Sequence, residues 1–256
     1  AKEKAGIVKL GVPVVVGDAR GPVRGVFTNA ATNQETTLTI ASNTWKCVEQ
    51  RLCDEGKLQH FHFEHAYKKE CVIFDTDLLG AVQVWNLATV LSGVDLLRAH
   101  GCAISDEALK DGLLHVVERT HLLGRWQWLN ENPRVVCDTG HNVDGIRSVT
   151  AQLRNTKYEK LRMIIGLTGD KDIRGILLQL PKEAQYYFTQ AAVPRALKVE
   201  DLQQRAADLE LVGNAYASVA EALHAAMKDA TPEDLIFVGG STYVVGEAMQ
   251  ELKIPN

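Results

Sequence analysis

The chain has 256 residues and a formal net charge of -4, with 46% hydrophobic and 23% charged residues, a balance that excludes disorder for the bulk of it. No apolar run is long enough to span a bilayer, the first residues lack the apolar core and cleavage site of a secretory signal, and no basic block offers a nonspecific nucleic-acid footprint. Five cysteines without a CxxC pair fit reduced thiols and a cytoplasmic setting better than a disulfide framework.

From Ala1 to Asp77 short β signals, Val14 to Val16, Thr36 to Ile40 and Val72 to Phe74, are mixed with polar turns, which predicts a sheet-rich stretch. Between Ala81 and His100 the apolar residues Val84, Leu87, Ala88, Leu91 and Val94 recur with helical spacing, and Gly101 supplies a stop. Ser105 offers an N-cap to a second helix, with Asp106 and Glu107 in its first turn. From Arg134 the pattern becomes regular. Apolar strands at Val135 to Cys137, Met163 to Gly166, Tyr186 to Thr189 and Leu235 to Val238 are each followed by a helical stretch, which specifies a mostly parallel α/β sheet with right-handed crossovers. The expected boundary lies in the polar stretch Gly124 to Asn132, giving domains of residues 1–127 and 128–256.

In open α/β sheets ligands bind beyond the carboxyl ends of the strands. The loops there read Asp138-Thr139-Gly140-His141-Asn142, Thr168-Gly169-Asp170-Lys171-Asp172, Pro194-Arg195-Ala196 and Gly239-Gly240-Ser241-Thr242. Three carry charged or titratable groups, and the fourth opens a helix with small residues that leave N–H groups available to an anion. Taken singly, Asp138 reads as the cap of the following helix, His141 as a surface imidazole, Asp170 and Asp172 as a solvated turn, and Ser241 as an N-cap. Their convergence on one edge is what predicts an anionic-ligand site. A second cluster, Cys47, Cys53, His60, His62 and His65, carries zinc-type ligands, but its spacing matches no usual finger and His60 and His62 alternate as in a strand.

These motifs carry a resemblance. Glu3-Lys4-Ala5-Gly6-Ile7, Gly11-Val12-Pro13-Val14-Val15, Gln83 with Asn86, Gly124-Arg125-Trp126-Gln127, Asp138 to Asn142, Asp170-Lys171-Asp172-Ile173 and Gly240-Ser241 together resemble the later part of the folylpolyglutamate and dihydrofolate synthases, within the Mur ligase superfamily. The resemblance covers nearly the whole chain. It implies an α/β fold in two parts: residues 1–127 as the remnant of a Mur-ligase-type central ATPase domain, and residues 128–256 as a Rossmann-like, mostly parallel glutamate-ligase domain. It implies an enzyme that uses ATP and Mg2+ to add L-glutamate to dihydropteroate or a reduced folate through an acyl phosphate, working as a cytoplasmic monomer on small molecules, without nucleic-acid or membrane partners.

Carried over residue by residue, Asn86 is expected at adenine, Arg125 at the phosphates and Asp138 at the nucleotide. His141 and Ser241 are expected at glutamate, with His141 also catalytic. Lys4 is expected as a carbamate close to magnesium, with a part in catalysis, which requires an amine desolvated or paired enough to lose its proton. Arginine suits phosphate because its planar fork donates several bonds and stays charged.

Two departures qualify the resemblance. No G-x-x-x-x-G-K-[ST] occurs, so the phosphate-cradling loop is absent from this sequence; the chain reads as a C-terminal fragment expected not to turn over ATP alone. Gly140 and Val143 stand where the relatives usually carry Ala and Pro, which predicts a looser local backbone. The alternatives are another Mur-type amide ligase, of cell-wall precursors or of the cyanophycin type, or a nucleotide- and amino-acid-binding module without catalysis.

Overall fold

A computed structural model describes residues 1–254. The chain forms two compact units, Ala1–Thr120 and His121–Asn256, so the break falls before Gly124 rather than after residue 127. Strand pairing explains the difference: the stretch expected to be a linker contains a strand of the second unit's sheet.

The first unit opens with α1 (Lys2–Ala5) and β1 (Val14–Val16), then α2 (Gly21–Asn33) and β2 (Leu38–Ile40), β1 and β2 forming a two-stranded parallel sheet. After α3 (Ala41–Thr44), a meander of β3 (Trp45–Cys53), β4 (Leu58–His65) and β5 (Cys71–Thr76) pairs antiparallel. On β4 the side chains of Phe61 and Phe63 are buried while His60 and His62 lie on the other face, the two-residue period of a pleated strand. Phe61, Phe63 and Phe74 stack with centroids 5.8 to 6.1 Å apart. Leu87, Ala88 and Leu91 of α4 (Gln83–Ala99) and Leu109 and Leu113 of α5 (Asp106–Leu114) complete that core. The expected Ser105 cap is present, its hydroxyl accepting from the Ala108 N–H at 3.1 Å, and Gly101 carries the positive φ of +90° that ends α4. The unit closes with α6 (Val116–Thr120).

The second unit is a six-stranded sheet built from β6 (Gln127–Glu131), β7 (Arg134–Asp138), β8 (Leu161–Ile165), β9 (Gln185–Phe188), β10 (Gly213–Ala215) and β11 (Leu235–Gly239), in the order β10-β9-β8-β11-β7-β6. Only β6 runs antiparallel, to β7. Both central strands, β8 and β11, are buried along their whole length, as strands covered on both faces must be. Between them run α7 (Val143–Arg154), α8 (Ile173–Leu177), α9 (Val199–Ala207), α10 (Val219–Asp229) and, after β11, α11 (Thr242–Glu251). Ile146, Val149, Thr150 and Leu153 of α7 are the buried residues, three and four apart, so one stripe of that helix is buried.

Register aligns the carboxyl ends. Asp138 pairs with Gly239, Gly239 with Ile165, and Ile165 with Phe188. The loops that follow four parallel strands therefore leave the sheet at one rim. The opposite end is tied differently: buried Arg162 donates to Asp234 at 3.1 Å, Gln185 at 2.8 Å and the Tyr187 hydroxyl at 2.9 Å.

Candidate functional site

Asp138 ends β7 and is pinned from two sides. Its Oδ1 accepts from the Gly140 N–H at 2.8 Å and its Oδ2 from the Trp126 N–H at 3.0 Å. Burial pushes its carboxyl up, opposed by those two N–H bonds and by the charge of Arg125. The cap reading for Asp138 is corrected here, because α7 is capped by Asn142, whose Oδ1 accepts from the Gly145 N–H at 2.8 Å. Asp138 instead stitches its own loop to the Gly124-Arg125-Trp126 segment. A backbone bond from Thr139 N to Gly124 O at 2.9 Å adds a second stitch.

Gly124 is required for that approach. It sits at φ +73°, and a Cβ there would lie 2.6 Å from Thr139 Cγ2. Arg125 is half-buried, with no hydrogen bond or ion pair to another described side chain. Gly140 is not loose as expected from the sequence: a Cβ on it would meet Asp138 Oδ1 and the Gly145 carbonyl carbon, each at 3.2 Å. The loop is packed closely against the first turn of α7.

His141 and Ser241 come together. With Thr168, Lys171 and Arg195, and with Thr242 and Tyr243 of the first turn of α11, they line a cavity of about 260 Å³. His141 Nδ1 lies 3.0 Å from the Thr139 carbonyl; a carbonyl only accepts, so Nδ1 carries the proton and Nε2 is the basic nitrogen. Ser241 is buried and caps α11, accepting from the Tyr243 N–H at 3.2 Å. Gly240, at φ +90°, turns the chain from β11 into that helix. Asp172 likewise caps α8 through the Gly175 N–H at 2.9 Å.

Two cations meet the cavity. Lys171 pairs with Asp170 at 3.1 Å. Arg195 donates to the Tyr243 hydroxyl at 2.7 Å. A side-chain hydrogen bond from Thr168, and then Lys171, hold the Asp170 carboxyl from its ordinary 3.8 down to about 2. A depressed folded pKa contributes stability above the unfolded value that is lost as pH falls through the folded one. The carbon-13 titration of the Asp170 carboxyl is therefore expected to have its midpoint near 2; an unshifted midpoint would mean the loop does not hold this geometry in solution.

Asn86 and Lys4 lie in the first unit. Asn86 is an exposed residue of α4 whose Nδ2 donates to Gln83 Oε1 at 2.8 Å, while buried Gln83 donates to the Leu79 carbonyl at 3.2 Å. Lys4 is exposed in α1. The Cys47–His65 cluster stays dispersed over the meander: His60 Nδ1 pairs with Asp75 at 2.7 Å, and among the described residues no three His, Cys, Asp or Glu side chains gather to hold a metal ion. A larger cavity of about 600 Å³ in the first unit, lined by Arg20, Lys46, Trp45 and Trp85 among others, includes Cys47 of the dispersed cluster but none of the residues expected at nucleotide, metal or glutamate.

Sequence reading named the loops of Lys171 and Arg195 without assigning either residue to the site. Lys171 was within reach of that reading, since it is the cation of the loop after β8. Tyr243 was not, because its relation to Arg195 exists only across 48 residues of chain.

Residues 124–242, which lie within the second unit, match the family of the Mur ligase, glutamate ligase domain. Over 97% of its length the chain is 30% identical to the dihydrofolate synthase/folylpolyglutamate synthase of Escherichia coli K12, of which it covers 54%. Among solved structures, E. coli FolC in complex with DHPP and ADP is similar at a TM-score of 0.80 and 27% identity, over 98% of this chain and 56% of that one. A bifunctional folylpolyglutamate synthase/dihydrofolate synthase with Mn, AMPPNP and L-glutamate bound gives a TM-score of 0.79 and 26% identity, over 99% and 56%. The chain thus resembles the C-terminal part of these synthases and spans about half their length.

Proposed function

We propose that this chain is the glutamate-handling part of an ATP-dependent ligase that joins L-glutamate to dihydropteroate, a reduced folate or both. The carrying observation is the cavity in which His141, Lys171, Arg195 and Ser241 converge from four loops, in a domain matching the glutamate ligase family. A relative's structure with L-glutamate and AMPPNP bound supports the same substrates here.

In the proposed reaction the γ-phosphoryl group of ATP passes to the pteridine substrate's carboxylate, and the glutamate amine then displaces phosphate from the acyl phosphate. An amino acid arrives as an ammonium and must lose a proton before it attacks. His141 suits that task because its Nδ1 is committed to Thr139, which leaves Nε2 as the acceptor. Ser241 and the N–H groups at the start of α11 suit a carboxylate. Arg125 suits phosphate oxygens, Asp138 holds the segment that presents it, and Asn86 is proposed at the adenine. The carbamate proposed for Lys4 needs a desolvated amine, whereas Lys4 is exposed. Held as a carbamate, Lys4 would supply negative charge beside the magnesium once further groups cover its amine.

The test is amide formation by the intact gene product from ATP and labelled L-glutamate, offered dihydropteroate, tetrahydrofolate or muramoyl nucleotides. Glutamylated pteridine is expected. The 256 residues alone are expected to show no glutamate-dependent ATP hydrolysis, since no G-x-x-x-x-G-K-[ST] phosphate-cradling loop occurs in them to position the γ-phosphate. Ligation restricted to muramoyl precursors, or nucleotide binding without any amide, would overturn the assignment.

A further inference from the structure

Resting on the glutamate reading, we infer that Arg195 selects a dicarboxylic amino acid at this cavity and that Tyr243 is the residue that positions it. Arg195 leaves the sheet on the loop after β9, where an unrestrained arginine would sample many rotamers. Two contacts restrain it. Its Nη2 donates to the Tyr243 hydroxyl at 2.7 Å, and its guanidinium carbon lies 4.9 Å from the centroid of the Tyr243 ring. Neither contact supplies negative charge from a carboxylate, so the guanidinium is oriented without being neutralised.

The other cation differs. Lys171 is paired with Asp170 at 3.1 Å, so part of its charge is spent within its own loop. The Ser241 oxygen already accepts the Tyr243 N–H. Among the described residues lining the cavity, Arg195 is therefore the cation without an acidic partner.

A neutral amino acid brings one carboxylate, for which Ser241, Lys171 and the start of α11 are provision enough. An oriented, uncompensated arginine adds a second anion subsite, and its fork can take a carboxylate through two parallel N–H bonds. Holding glutamate by both carboxylates also fixes where its amine points, which is the atom that reacts. Arg195 thus takes the carboxylate that glutamine lacks. Tyr243 lowers the ordering cost of that contact by holding the guanidinium before the ligand arrives.

The experiment compares L-glutamate with L-glutamine in two ways: calorimetric binding to the 256-residue chain, and kcat and KM in the intact gene product. The wild type is expected to prefer glutamate. Arg195→Ala is expected to reduce that preference by about tenfold or more, as loss of a charge-assisted pair does, and Arg195→Lys to restore it only in part. Tyr243→Phe, which keeps the ring and removes the hydroxyl, is expected to raise the KM for glutamate more than it lowers kcat, and Tyr243→Ala to do so further. A wild type without preference overturns the inference. So does a preference unchanged by Arg195→Ala, or a Tyr243→Ala variant whose melting temperature falls while its glutamate-to-glutamine ratio stays fixed. Preference for glutamate through Arg195, with no amide formed on any pteridine, would sink the ligase reading and leave this one standing. Ligation with a ratio indifferent to Arg195 would do the reverse.

Discussion

Replacing Arg162 with methionine is expected to destabilise the second unit by about 3–5 kcal/mol, the usual consequence of removing one member of a buried ion pair. Arg162 and Asp234 are both buried. The guanidinium donates to Asp234, Gln185 and Tyr187, and also to the Asp229 carbonyl at 2.6 Å. Deleting it strands a carboxylate and three further acceptors. Burial raises the Asp234 pKa, yet hydrogen bonds from the Thr231 N–H, Arg162 and the Lys160 N–H hold it below its ordinary value. By linkage the stability it contributes is present above the unfolded pKa and is lost as pH falls through the depressed folded one. Urea denaturation at neutral pH should show the full loss in Arg162→Met, and the gap from wild type should narrow in strong acid. Adding Asp234→Leu should rescue only part of it, because Asp234 also accepts from the Lys160 and Thr231 N–H groups, each at 3.1 Å. A single variant within experimental error of wild type would refute the structural role of the network.

Asp138→Ala is expected to cost about 2–6 kcal/mol, since two partly buried N–H groups lose their acceptor at about 1–3 kcal/mol each. The local signature separates this variant from any general loss of stability. Amide exchange should accelerate at Trp126 and Gly140, the two donors to the carboxylate, while the Gly145 N–H, which bonds to Asn142, stays protected. In the intact gene product the same substitution should weaken nucleotide binding, because Arg125, proposed at the phosphates, sits within the released segment. Unchanged exchange at Trp126 would show that the stitch contributes nothing.

The regular part of the fold was legible because its signals are strong and local. The apolar runs around Val136, Ile164, Tyr187 and Phe237 are strands, and the fully buried β8 and β11 have the unbroken apolar pattern that a parallel sheet demands. The edge strand β6 was missed: its burial is partial and its residues Gln127, Asn130 and Glu131 are polar, so it reads as linker. Helix α2 was also missed. It begins Gly21-Pro22, has no side-chain cap, and buries only Ala31, leaving little amphipathic pattern to detect. At the site, spacing located the loops and the switch-point rule placed them on one rim. What spacing could not convey was which oxygen faces which N–H. Asp138 was read forward as a cap of the next helix, whereas its second partner, Trp126, lies behind it in sequence and is reached only through the antiparallel turn between β6 and β7.

Along β8, Arg162 and Ile165 stand three residues apart, roughly 10 Å at strand spacing, yet they serve opposite ends of the sheet. The anchoring charges sit at one end, and the loops that line the proposed glutamate cavity leave from the other. Such a division lets descendants retune the proposed choice of amino acid by exchanging a few side chains at the mouth, while the foundation beneath keeps its ions, its strand order and its melting behaviour. Substrate diversification on this scaffold should therefore leave its marks at Lys171, Arg195 and Tyr243 long before it touches Arg162 or Asp234.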